Sequence, residues 1–304
     1  MSRKRKSNRG NSKQRRGLHL PRLRKPKPGT APGIEHHDIK NVTTGPAGKV
    51  YITCTDYCHD NVRMSDIVDL DQFLAQHRPE WSQVRWINVD GLTDMKVIEA
   101  LAKKYQLHPL SIEDMLHVPQ RPKMEAYAAQ GENLARIFLI AGMIQLREGH
   151  LHTEQISIFL GRKTVLTFQE THGDVWDPIR ERIHKTGSRL RQNDASFLVY
   201  ALLDAVVDHC FPILEYYGDR LEEMEDQILE GPSQESIHQI HGLKRELLLL
   251  RREVWPMREL VLAIQREPHE CMSENTRTYL KDVYDHTVQA IDIIETYREV
   301  ATAL

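Results

Sequence analysis

Ser233-Gln-Glu-Ser-Ile-His-Gln-Ile-His-Gly-Leu-Lys-Arg-Glu-Leu-Leu-Leu-Leu-Arg-Arg-Glu-Val-Trp-Pro-Met-Arg-Glu-Leu-Val-Leu-Ala-Ile264 is the stretch that decides the fold. Its apolar residues Ile237, Ile240, Leu243, Leu247, Leu250, Val254, Met257, Val261 and Ile264 recur at gaps of three and four. The gaps average about 3.5, the spacing of a helix that packs lengthwise on another helix. Ser233 stands where an N-cap belongs, and Gly231–Pro232 ends whatever comes before it. What comes before is a second apolar pattern, from Phe197, Leu198, Ala201, Leu202, Ala205 and Val206 through Leu214, Tyr217, Leu221 and Met224 to Ile228. It predicts one long helix from Asp194, bent at Pro212. The two helices form a long antiparallel hairpin over residues 196–274. A third helix runs from about Asn275 to the end, residues 275–304. Val283, Ala290, Ile294, Tyr297, Ala301 and Leu304 share one of its faces, with Val288, Ile291 and Val300 beside it, so it needs neighbours on more than one side. No Gly, Asn or Pro terminates it, and the natural protein is expected to continue past it.

Ahead of these helices the periodicity shortens. Lys49–Cys54 and Val84–Val89 read as strands, Thr93–Tyr105 as a helix and Leu134–Leu146 as a strongly apolar strand. Gln155–Leu160 and Thr164–Phe168 form a hairpin about Gly161–Lys163. Residues 39–195 are therefore an α/β (α+β) domain, a mixed sheet flanked by helices, which the helical hairpin and the start of a long stalk helix follow.

Charge divides the chain of 304 residues. Residues 1–27 hold twelve Lys/Arg and no acid, which leaves 29 basic and 43 acidic residues in the remainder. This tail, residues 1–38, has too few apolar side chains to offset its ordering entropy and is expected to be disordered. Its charge suits anionic lipid or nucleic acid, though no aromatic residue is interleaved for base stacking. The longest run without a charged residue, Ile137–Leu146, has ten residues, against roughly 20 for a membrane-spanning helix, so no span is expected. Four cysteines, Cys54, Cys58, Cys210 and Cys271, are too scattered for a disulfide framework.

No catalytic constellation is present: there is no Gly-rich phosphate loop, no GxSxG and no HExxH. Cys54, Cys58 and His59 make one ligand cluster, where structural zinc usually takes two separated pairs. His238 and His241 read as a solvated or interface face. The acidic run Leu221–Asp226 is either a solvated face or a cation-attracting surface. A lone Asp is ordinarily a surface charge, but Asp204 and Asp208 lie one turn apart on an otherwise apolar helix. Asp282 and Asp285 are three apart further on.

Several long motifs carry a resemblance. His108-Pro-Leu-Ser-Ile-Glu-Asp-Met-Leu-His-Val-Pro-Gln-Arg-Pro-Lys-Met-Glu-Ala-Tyr127, Glu154-Gln-Ile-Ser-Ile158, Phe168-Gln-Glu170, Asp174-Val-Trp-Asp-Pro-Ile-Arg-Glu-Arg182, Trp255-Pro-Met-Arg-Glu259 and Asp282-Val-Tyr-Asp-His286 follow in order. Over roughly residues 45–304 the chain resembles the CorA family of magnesium transporters. The resemblance implies a pentameric channel-like transporter of the cell or inner membrane, with this chain on the cytoplasmic side. The third helix would be its stalk, leading to transmembrane helices and a Gly-Met-Asn pore mouth that this chain does not contain. It also implies Mg²⁺, with Co²⁺ as a further cargo, and intersubunit sensor sites. By motif these place a metal at Asp114 and Asp282, and a second at Glu113 and Asp204 with Asp282 nearby. Mg²⁺ prefers carboxylate and water oxygens, which suits that set. Two other readings stay open: a ZntB-like zinc transporter domain, and a soluble interaction module whose basic tail binds nucleic acid or membrane.

Overall fold

The computed structural model describes residues 50–131, 134–231 and 233–304. The basic tail, Lys49 at the head of the first expected strand, and Pro232 lie outside the described residues. The elements run β1 (Tyr51–Tyr57), β2 (Val62–Asp66), α1 (Leu70–Ala75), β3 (Val84–Asp90), α2 (Met95–Tyr105), α3 (Pro109–Leu116), β4 (Lys123–Tyr127), β5 (Arg136–Arg147), β6 (His150–Leu160) and β7 (Thr164–Gln169). They continue with α4 (Asp177–His184), α5 (Arg189–Gln192), α6 (Ala195–Asp208), α7 (Cys210–Glu230), α8 (Gln234–Arg266) and α9 (Glu274–Ala303).

The strands make one seven-stranded sheet in the order β2-β1-β3-β7-β6-β5-β4. Only β3 and β7 pair in parallel, with Arg85 opposite Thr164 and Asp90 opposite Gln169, so the sheet is mixed as expected. The central strands are apolar on both faces because both are covered. In β5, Ile137, Leu139, Ala141 and Met143 point to one core, and Phe138 and Ile140 to the other. The second core is closed by α2 and α3 through Ile98, Leu101, Ile112 and Met115. The first lies under α4, α6 and the adjoining parts of α8 and α9. Trp176 anchors it: the indole is fully buried, donates to the Leu202 carbonyl at 3.1 Å and meets Trp86 edge-on at 5.9 Å. A third core, built from α7, α8 and α9, holds Tyr217, Leu221, Leu247, Leu250, Ala290 and Ile294.

Several boundaries differ from the sequence reading. The expected helix bent at Pro212 is two helices, α6 and α7, separated at His209. Proline cannot donate to the carbonyl four residues back, and its ring crowds that carbonyl, so the break falls one turn ahead of Pro212. Together they form an apolar segment, Ala195–Glu230, long enough by length and composition to cross a membrane. Most of its apolar window is buried inside the fold, which makes it a core element. The expected strand at 155–160 begins five residues earlier, because Glu148 and Gly149 both take positive φ and continue β5 into β6 as a tight hairpin. Elements β2, α1, α3, β4, α4 and α5 lie outside the sequence-derived assignment. The expected cap is present, Ser233 accepting from Ser236 N–H at 3.0 Å, and Ser273 accepts likewise from Thr276 N–H at 3.3 Å.

One buried ion pair ties β1 to β3. Arg85 donates through Nε and Nη2 to the Asp56 carboxylate, each at 2.8 Å, and Ser82 Oγ adds a third bond at 3.1 Å. Arg63 approaches the same carboxylate at 3.4 Å from solvent. Removing one partner of a buried pair strands the other charge. Asp56→Ala is therefore expected to cost about 3–5 kcal/mol in urea unfolding, and Arg63→Ala less than about 1 kcal/mol. Equal costs for the two would contradict this ranking.

Candidate metal centre

The centre arises where α6 and α9 run side by side. Their N-termini are pinned by hydroxyls: Ser196 Oγ lies 2.7 Å from Thr276 Oγ1 and 3.2 Å from Ser273 Oγ. One turn on, Phe197, Tyr200 and Tyr279 pack as three rings with centroids 5.0–5.3 Å apart. Two turns further, the same register sets Asp204 and Asp208 of α6 against Asp282 and His286 of α9. One donor atom each from Asp204, Asp208 and His286 falls within 4.8 Å of the others. His286 Nδ1 is 2.8 Å from Asp208 Oδ1, and its Nε2 is 4.0 Å from Asp282 Oδ1.

These distances define what the group can do. With its proton on Nδ1, His286 donates to Asp208 and turns the Nε2 lone pair towards the Asp282 carboxylate. Two electron-rich atoms then face each other, an arrangement that a bound cation relieves. The half-buried Asp204 carboxyl is pushed up to about 6, first by burial and then by the Asp208 charge, with Asp282 adding to it and His286 opposing. Neighbouring ligands of an octahedral ion bound at ~2.1 Å lie ~3 Å apart. The Asp208–His286 pair already has this spacing, while the 4.0 Å from His286 to Asp282 is wider and suits binding through ion-held water. Three carboxylates and an imidazole fit a hydrated divalent cation. The oxygens suit Mg²⁺, and the imidazole adds affinity for Co²⁺ or Zn²⁺.

The four residues expected as ligands separate into two places. Asp204 and Asp282 belong to the α6–α9 group. Glu113 and Asp114 lie at the end of α3, over the other face of the sheet, and do not join it within one chain. Asp114 Oδ2 accepts from Lys123 Nζ at 2.6 Å, and the same ammonium reaches Glu125 Oε1 at 2.5 Å. Glu125 in turn accepts from Tyr127 O–H at 2.5 Å, Ser111 Oγ donates to that phenol at 3.0 Å, and His108 stacks on the Tyr127 ring at 4.4 Å. Burial alone would lower the Lys123 ammonium and raise the Glu125 carboxyl, but the bonds between them outweigh it in both. His286 was absent from the expected ligand set; its signal was its place four residues after Asp282, one helical turn along the same face.

The other cysteine and histidine patterns do not assemble. Cys54 is buried in the second core, where desolvation and Asp56 push its thiol up to about 12, so it stays protonated. Cys58 accepts from Asn61 N–H within a turn, and His59 pairs with Asp60. Glu222, Glu223, Glu225 and Asp226 of the acidic run face solvent, while Leu221 and Met224 face the core.

Residues 81–304 match the family described as CorA-like Mg²⁺ transporter protein. The cobalt/magnesium transport protein CorA of Thermotoga maritima is 38% identical over 219 residues, 72% of this chain and 61% of that protein, so the chain spans less than two thirds of this relative's length. The soluble domain of CorA from Methanocaldococcus jannaschii superposes with a TM-score of 0.66 at 21% identity, covering 83% of this chain and 94% of that one. The ZntB cytoplasmic domain from Vibrio parahaemolyticus gives 0.64 at 10% identity, covering 84% and 95%. At these identities both structures speak to the fold alone.

A folded carboxyl near 6, against an ordinary value of 3.8, binds a proton that the unfolded chain has already lost. Its contribution to stability is full below about pH 4 and is lost as pH rises through 6. Asp204→Asn should therefore raise the metal-free melting midpoint at pH 7 by about 2–4 °C, for a gain of roughly 1 kcal/mol. The difference should shrink towards pH 4. A loss of stability that is the same at both pH values would contradict the assignment.

Proposed function

The chain belongs to the CorA family, and on that premise we propose that it is the cytoplasmic Mg²⁺-sensing and gating part of a pentameric transporter that carries magnesium and cobalt. The observation that carries this reading is the group Asp204, Asp208 and His286 with Asp282 alongside, on two helices pinned in register. Residues 39–195 act as the sensor body, 196–274 as the helical hairpin and 275–304 as the stalk that transmits the signal. In the assembled ring, Asp114 and Glu113 of one subunit face the Asp282 region of its neighbour. Their separation within one chain supports an intersubunit arrangement.

The mechanism is electrostatic. Two carboxylates ~4 Å apart repel by about 1 kcal/mol in water and ~4 kcal/mol in a partly screened interface. A divalent cation between subunits removes that repulsion and favours a closed, symmetric ring. When cytosolic Mg²⁺ falls, the carboxylates regain their repulsion, the subunits splay and the stalks release the pore. Five interfaces each shifted by ~1 kcal/mol approach the roughly 5.5 kcal/mol that reverses a 1:99 population. Weak individual sites suffice, and weak binding is what hydrated Mg²⁺ on a few carboxylates supplies. His286 favours borderline ions such as Co²⁺ and Zn²⁺, which keeps a zinc-carrying variant of the same design as the second reading.

Following melting and sedimentation together through a Mg²⁺ titration tests the proposal. At ten times Kd each site adds about 1.4 kcal/mol. The wild-type chain should show a rising midpoint with stronger self-association, and Asp114→Ala/Asp282→Ala should lose both. An assembled chain with no Mg²⁺ dependence would sink the sensor role at these residues. His286→Ala should weaken Co²⁺ binding about tenfold while changing Mg²⁺ binding less than about twofold. An equal effect on both ions would place the imidazole outside the ligand set.

A further inference from the structure

Asp114 already holds a cation, the ammonium of Lys123, at 2.6 Å. We propose that Lys123 is a built-in competitor for the divalent cation at Asp114, and that Glu125 is the station to which it withdraws when the metal binds. This inference rests on the placement of a metal at Asp114 proposed above.

Three features of the local structure support an exchange over a static ion pair. First, the ammonium is already divided between two carboxylates, Asp114 Oδ2 at 2.6 Å and Glu125 Oε1 at 2.5 Å, so giving up one leaves it paired. Second, the two carboxylates are unequally fixed. Glu125 is held by the Tyr127 phenol, which Ser111 and the stacked His108 ring hold in turn. The Asp114 carboxylate, near the last turn of α3, is held by the ammonium. Third, the backbone of Lys123 is fixed by pairing opposite Ile140 in the sheet, while its four-carbon stem lets the ammonium shift between acceptors. A carboxylate held by a second hydrogen bond beside one held by the ammonium is the geometry of an exchange. A divalent ion that displaces the lysine must overcome a charge-assisted bond but leaves no buried charge unpaired. Lys123 would thereby weaken divalent binding at Asp114 and move the sensor's working range upward in concentration.

Calorimetric titration of Mg²⁺ into the assembled chain separates the possibilities, with metal-free melting used to confirm that each variant folds. Asp114→Asn must first reduce wild-type binding. If it does not, the placement of metal at Asp114 fails and this inference falls with it. Where it does, Lys123→Met should tighten binding about fivefold to tenfold, with Lys123→Gln as the backup variant. Lys123→Met/Glu125→Gln removes one charge of each sign and should still bind at least threefold more tightly than wild type, because Asp114 has lost its competitor. Arg121→Met, which removes an exposed positive charge two residues away, should change affinity less than twofold. Lys123→Met without tightening, a double variant back at wild-type affinity, or an equal effect of Arg121→Met would each overturn the exchange.

Discussion

The register between α6 and α9 is the constraint on which the rest depends. Hydroxyls of Ser196, Ser273 and Thr276 lock the two N-termini together, and the Phe197–Tyr200–Tyr279 rings fix the rotation of one helix against the other. Interdigitated packing of this kind does not slide continuously. Asp204, Asp208, Asp282 and His286 therefore meet whether or not their charges favour it, and the raised Asp204 carboxyl records the cost. Stability is given up at this point of the α6–α9 contact.

The second consequence is a division of acids between the two faces of the sheet. Helix α3 closes one core, and α6 with α9 closes the other, so Asp114 and Asp282 cannot neutralise the same ion within one chain. Each face sets a nitrogen group between two acids. On α9 the imidazole of His286 lies between Asp208 and Asp282. On α3 the ammonium of Lys123 lies between Asp114 and Glu125.

Much of the architecture was legible because it rests on periodicity. The seam of α8, the apolar run of β5 and the cap at Ser233 follow from side-chain pattern and the needs of orphan N–H groups. What was not legible depended on backbone geometry or on contact between distant segments. The β5–β6 turn uses Glu148 at positive φ, where Asn or Asp is the usual signal. The α6–α7 break falls a full turn from the proline that causes it. In the site, the Asp204–Asp208 pair was visible as two charges on an apolar helix. The pairing of Asp114 with Lys123 was not, because they stand nine positions apart on different elements, α3 and β4.

The central claim is that divalent cations are held at these carboxylates when the protein is assembled. Anomalous diffraction from crystals of the assembled protein grown with Co²⁺, recorded at the cobalt edge, tests it most directly. The account predicts peaks at the Asp204–Asp208–His286–Asp282 group and between Asp114 of one subunit and the Asp282 region of the next. Cobalt peaks confined to other residues, with these carboxylates free of metal, would contradict it.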